Sequence, residues 1–219
     1  MLIRQLPRQN RVTPSGGLIA TEARGTLMGN RGCLHSDDGR IVRQWQVRRW
    51  IACALSFRGR RRFVMPPGRW TALFFLDEAT ALAAGHRPCA ECRWADYRRF
   101  QDAFLSAHPG HPAGADPMDR TLHAARVRDR RTGRTHEAPA ATLPEGTFVE
   151  VAGRPWLLWG GELLAWTPAG YAERRPTPAG DVTVLTPAPT VAAIRSGYVP
   201  LVHPSAAAPG ALLPLPTRG

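Results

Sequence analysis

The chain has no lysine. All 29 of its Lys/Arg positions are arginine, set against 17 acidic residues for a formal charge of +12. It has no apolar run long enough to cross a bilayer, which needs about 20 residues, so a membrane-spanning helix is excluded. A chain without a secretory leader, soluble and cytoplasmic, is the expectation. Cysteine is scarce, with four in 219 residues. In a reducing compartment so few thiols point to free or metal-bound sulfur rather than to a disulfide framework. No internal repeat is visible. Residues 39–76 lack acidic side chains altogether.

At 43% apolar, the chain can bury a core as one domain or two small ones. The charge and a pI near 11.2 suggest a polyanionic partner, most simply nucleic acid. Part of the arginine excess fits a GC-rich genome, as the high Ala, Gly and Pro also do, and a solvated basic surface is the plainer reading. The acid-free stretch carries Arg40, Arg43, Arg48, Arg49, Arg58, Arg60, Arg61, Arg62 and Arg69 among Trp45, Trp50, Phe57, Phe63 and Trp70. Guanidinium groups grip phosphates in bidentate fashion. Arg48, Arg49, Arg58, Arg60, Arg61 and Arg62 are therefore the candidate nucleic-acid contacts. A turn at 58–60 leading into a strand over 61–65 would carry several of them at a hairpin tip. The tryptophans either stack on exposed bases or fill the core.

Read in order, residues 11–28 form a hairpin around Ser15-Gly16-Gly17. A glycine-punctuated loop follows, carrying Cys33-Leu34-His35, and Asp37-Asp38-Gly39 is turn chemistry. Ile51, Cys53, Leu55 and Phe57 share one parity, as on the buried face of a strand. Asp77 is a helix N-cap, 78–84 favours helix, and Gly85 supplies the left-handed stop. From Cys92, the residues Trp94, Tyr97, Phe100 or Gln101, and Phe104 recur at helical spacing. A break at 108–114 holds His108 and His111, and Asp116-Pro117 opens a helix with Met118, Leu122 and Ala125 on its apolar side. Residues 147–151, 155–159 and 162–166 read as a β-meander, joined by a strand at 182–185. Thr186-Pro187 then opens a helix stopped by Gly197, and 198–203 reads as an edge strand. The expected fold is α+β, with a zinc-binding, arginine-rich unit over 1–110, made of hairpins plus two short helices. A β-rich unit over 115–204 and a tail of disordered composition over 205–219 follow.

The chemistry centres on Arg87-Pro88-Cys89-Ala90-Glu91-Cys92. Zn²⁺ takes four Cys or His ligands in a tetrahedron, and a C-x-x-C pair at the start of a helix supplies two. Cys33, His35 and Cys53 are the candidates for the rest. Cys33, Cys53, Cys89 and Cys92 make the simplest closed site, and three cysteines with His35 make the variant. For Cys53 a small core residue is the rival role.

The segment LFFLDEATALAAGHRPCAEC resembles the second half of the zinc-binding domain of the Ada adaptive-response proteins. The matching positions are Phe74, Phe75, Glu78-Ala79, Ala83-Ala84-Gly85, Arg87-Pro88-Cys89 and Cys92, within about thirty residues of the chain. The resemblance implies a zinc knuckle at Cys89 and Cys92, DNA binding, and a link to DNA repair or regulation. In that family an upstream C-x-x-x-C pair completes the site and carries the methyl-acceptor chemistry. Here Cys53 is followed four residues on by Phe57, so the methyl-acceptor role carries over to no residue. The expectation is thus a nucleic-acid-binding protein with structural zinc, DNA being the partner the resemblance implies and no membrane being involved. The alternative is a zinc-dependent enzyme on nucleic acid or nucleotides, by a reactive zinc thiolate or in deaminase fashion. Pro88-Cys89-Ala90-Glu91-Cys92 fits half of the deaminase signature, while His35-Ser36-Asp37 offers Asp where Glu is required.

Overall fold

The computed structural model describes residues 6–59, 64–128 and 131–207. The fold is α+β, with two six-stranded sheets, a two-stranded ribbon and four helices among the described residues. No helix among them is long and apolar enough to cross a membrane.

The first sheet begins with the expected hairpin, β1 (Gln9–Val12) against β2 (Leu18–Ala20). It is completed by β3 (Leu27–Asn30), β4 (Ile51–Ala54), β5 (Leu73–Phe75) and a two-residue edge strand, β6 (Arg87–Pro88). The order is β2-β1-β5-β3-β4-β6, with β6 parallel to β4. Gly29 lets β3 and β4 close up, since a Cβ there would lie 2.1 Å from the Ile51 carbonyl oxygen. Of the expected strand over 61–65, residues 61–63 lie outside the described residues, and Val64 and Met65 form a bend.

Helix α1 (Glu78–Ala83) starts where its sequence says it should: the Asp77 carboxylate accepts the Thr80 N–H at 2.8 Å. It ends at Gly85, whose φ of 83° is left-handed and whose missing Cβ makes room for the Arg126 side chain. Ala81 and Ala84 pack over Leu27, Ala52, Leu73 and Phe75, covering one face of the first sheet. Helices α2 (Trp94–Ala107), α3 (Ala115–Arg126) and α4 (Ala188–Arg195) join through Tyr97, Phe100, Phe104, Met118, Leu122 and Ile194. Trp94 departs from the expected stripe. Its place in the first turn of α2 leaves it 56% exposed, beside Arg98.

A short ribbon pairs β7 (Val127–Arg128) with β8 (Arg131–Thr132). The second sheet is antiparallel throughout and contains β9 (His136–Pro139), β10 (Phe148–Val151), β11 (Arg154–Trp159), β12 (Glu162–Thr167), β13 (Gly170–Pro176) and β14 (Asp181–Val184). The expected meander is there, extended by β13 at one edge and by β9 beyond β14 at the other.

Packing crosses the boundary expected near 110–115. Leu76, Ala79 and Ala83 share a buried cluster with Phe148, Leu157, Leu164 and Tyr171. Two buried carboxylates tie the chain more tightly still. Asp77 accepts the Tyr171 hydroxyl at 2.7 Å and the His203 N–H at 2.9 Å. Glu78 accepts the Tyr198 hydroxyl at 2.6 Å, the Leu201 N–H at 2.9 Å and Arg93 at 2.6 Å. These bonds correct the edge strand expected over 198–203: the segment is ordered but not a strand, because two of its N–H groups donate to carboxylates. Ser205 and Ala206, expected in the tail, are buried in a 3-10 turn over Pro204–Ala206, and 208–219 lie outside the described residues.

Candidate metal centre

The parallel pairing of β4 with β6 builds the centre. Ile51 aligns with Arg87 and Ala52 with Pro88, and the Cys89 N–H then donates to the Ala52 carbonyl at 2.9 Å. This continues the ladder by one residue and sets Cys89 beside Cys53. Pro88 is tolerated because β6 is an edge. The Arg93 N–H donates back to the Cys89 carbonyl at 3.1 Å, closing a turn that returns Cys92 toward the sheet. The three Sγ atoms of Cys53, Cys89 and Cys92 all lie within 4.8 Å of one another. Met28, Cys53, Ala72 and Cys89 form one buried cluster, with Ile51, Phe74 and Cys92 against it.

Arg87 holds β6 in place. Its Nε and Nη2 donate to the two Asp119 oxygens at 3.0 and 2.8 Å, its Nη1 donates to the Pro88 carbonyl at 2.9 Å, and its guanidinium lies over Tyr97. Both charged side chains are almost wholly buried.

The sulfurs are electrostatically coupled. The Cys53 thiol donates to Cys89 and pulls it down to about 5, helped by backbone N–H donors that include Glu91 at 3.4 Å. The same bond, together with burial, pushes Cys53 up. Three adjacent thiolates repel one another, and a divalent cation removes that repulsion. Sulfurs on one tetrahedral zinc at about 2.3 Å sit roughly 3.8 Å apart, so this donor set fits zinc with small side-chain adjustments.

The other metal-ligand candidates lie elsewhere. Cys33 is half-buried; its thiol donates to the His35 carbonyl at 3.6 Å and its N–H to Gln46 at 2.7 Å. His35 is buried with Nδ1 on the Thr71 hydroxyl at 2.6 Å and Nε2 toward the Pro66 carbonyl at 3.3 Å. Among the described residues no fourth Cys, His, Asp or Glu joins the three sulfurs. Outside them, Asp129 is the one such side chain in the sequence. The deaminase arrangement is likewise not assembled, since neither His35 nor the exposed Asp37 joins the sulfurs.

The parity of Ile51, Cys53 and Leu55 does put them on one face, but not the fully buried one. Ala52, of opposite parity, faces α1, while Leu55 is 48% exposed. Arg48 and Arg49 are exposed and line a groove of about 690 Å³ with Asn30, Ile51, Trp70 and Arg120. Arg58 is exposed with its guanidinium over Phe57, and Arg60, Arg61 and Arg62 lie outside the described residues. Sequence reading missed Arg120 because it sits on a helix far from the acid-free stretch. It also missed a second groove of about 510 Å³ lined by Arg8, Arg11, Arg24, Leu55 and Phe74. Only the tertiary fold brings those segments together. No family profile, curated protein or solved structure matches the chain.

Proposed function

We propose that the chain is a zinc-binding protein that binds nucleic acid through the arginine-lined face of its first sheet. The convergence of Cys53, Cys89 and Cys92 from a strand and a helix-opening turn carries this reading. Zinc held there would cross-link β4, β6 and the start of α2. That knuckle shares a sheet with the groove lined by Arg48, Arg49 and Arg120. The Ada-like RPC-x-x-C segment supports DNA as the polymer and a role in its repair or regulation.

A second reading is favoured by one observation: the sulfur group has three members, not four. Three protein ligands with an open position is the pattern of catalytic zinc, which supplies Lewis-acid polarisation or an activated water. That reading makes the chain an enzyme acting on nucleic acid or nucleotides.

Elemental analysis with a free-thiol count tests both. One zinc per chain with a single reactive thiol, that of Cys33, is the expected result. Absence of zinc would refute the zinc-centred readings together. Four protected thiols would place Cys33 on the metal and remove the case for an open position.

A further inference from the structure

The sheet face that bears the cysteine trio stays open on both sides of it. Ile51, Cys53 and Leu55 follow one another on that face of β4 and just beyond it, about 6.6 Å apart at ~3.3 Å of rise per residue. Ile51 and its cross-strand partner Asn30 line the first groove, while Leu55 and Phe74 line the second. The trio therefore lies between two grooves on a single surface.

Each groove carries three arginines: Arg48, Arg49 and Arg120 in the first, Arg8, Arg11 and Arg24 in the second. Acidic side chains are fewer. Asp119 is neutralised by the buried Arg87, Asp116 pairs with Arg49 at 3.3 Å, and Glu22 stands in the second groove. Both grooves keep a cationic surplus. In the first, Trp70 is 50% exposed, an indole presented to solvent in a groove whose arginines can hold phosphates. Such a ring is a stacking platform for a base, and every base has a π-face to offer it. A paired duplex hides those faces inside its own stack and offers mainly its phosphates and groove edges.

We infer that this face binds single-stranded nucleic acid, the strand crossing from one groove to the other over the cysteine trio. An unpaired base stacks on Trp70, and phosphates are held by the arginines at both ends. The inference rests on the nucleic-acid reading above and specifies the form of the polymer.

The test is fluorescence anisotropy with a labelled single strand and a labelled hairpin duplex of equal length, on the full chain and on Trp70→Ala and Trp70→Phe. Zinc content serves as the folding control for each. The expected result is tighter binding of the single strand by the parent protein. Trp70→Ala should weaken that binding roughly 5- to 150-fold, the range for losing one base–aromatic stack, and leave the duplex unchanged. Trp70→Phe should restore most of the loss. Equal affinity for strand and duplex, or a zinc-loaded Trp70→Ala protein that binds the strand as the parent does, would overturn the inference while leaving nucleic-acid binding intact. Binding of neither form would overturn both.

Discussion

Replacing Asp119 by Asn should destabilise the protein severely although Asp119 touches no sulfur. The carboxylate makes two hydrogen bonds to Arg87, and both side chains are at most 4% exposed. Asn keeps the shape, loses the charge, and turns an NH₂ group toward a guanidinium that cannot give up its proton. Breaking a buried pair by removing one partner costs about 3–5 kcal/mol, because the other charge stays buried and uncompensated. That is a large part of the roughly 5–15 kcal/mol that holds a domain folded. At about 2–4 °C per kcal/mol for a chain of this size, Tm should fall by roughly 6–20 °C. Calorimetry or far-UV circular dichroism reads this directly. Asp116→Asn is the control, since its ion pair with Arg49 is exposed on both sides and such pairs contribute about 0–1 kcal/mol. Replacing Arg87 and Asp119 together by apolar residues of similar volume should recover most of the loss. A drop in Tm for Asp119→Asn no larger than that of Asp116→Asn would refute the claim that this pair fixes β6.

Three further outcomes are expected. Ser substitutions at Cys53, Cys89 or Cys92 should each lower zinc content, whereas Cys33→Ser should retain one zinc per chain and abolish the reactive thiol, as read by elemental analysis and thiol titration. His86 is buried between Trp50 and Phe75, and burial, then Arg31 and Arg126, hold its pKa well below 6.5. The unfolded chain therefore takes up a proton that the folded one refuses. Its contribution is intact above pH 6.5 and is lost on acidification at up to about 1.4 kcal/mol per pH unit; denaturation curves of His86→Phe between pH 7 and 5 should show a shallower slope. Arg48→Ala with Arg49→Ala should weaken nucleic-acid binding and reduce the slope of log K against log salt by roughly 1.4 for a single strand, at about 0.7 per phosphate contact; an unchanged slope would remove these two arginines from the interface.

Much of the local structure was legible because its signals are local. Asp77 caps α1 and Gly85 stops it by chemistry confined to a few residues, and the turns of the β10–β12 meander announce themselves as Ala152-Gly153 and Gly160-Gly161. The strands that escaped notice give weaker signals. β13 runs through Glu173, Arg174 and Arg175, all exposed, and β9 has Pro139 and alternates without a fully buried face. At the metal centre, the C-x-x-C half could be read from sequence. The third sulfur depends on a two-residue parallel pairing between β4 and β6, thirty-six positions apart in register. Cys33 entered the expected set because a glycine-rich loop looks able to approach a metal. Its thiol instead meets the carbonyl two residues on.

The Asp77–Glu78 pair bears on how the chain is made. Its bonds to Tyr198, Leu201 and His203 span 120 to 126 positions of sequence. At about 5–20 residues per second, a ribosome delivers those donors roughly 6–25 s after the two carboxylates. Throughout that interval Glu78 has Arg93 alone of its three donors, and Asp77 has the Thr80 N–H and, once made, the Tyr171 hydroxyl. The full set of donors that buries these two carboxylates is thus complete only when residues 198–203 emerge, and a nascent chain stalled before residue 198 carries both acids with part of their partners missing.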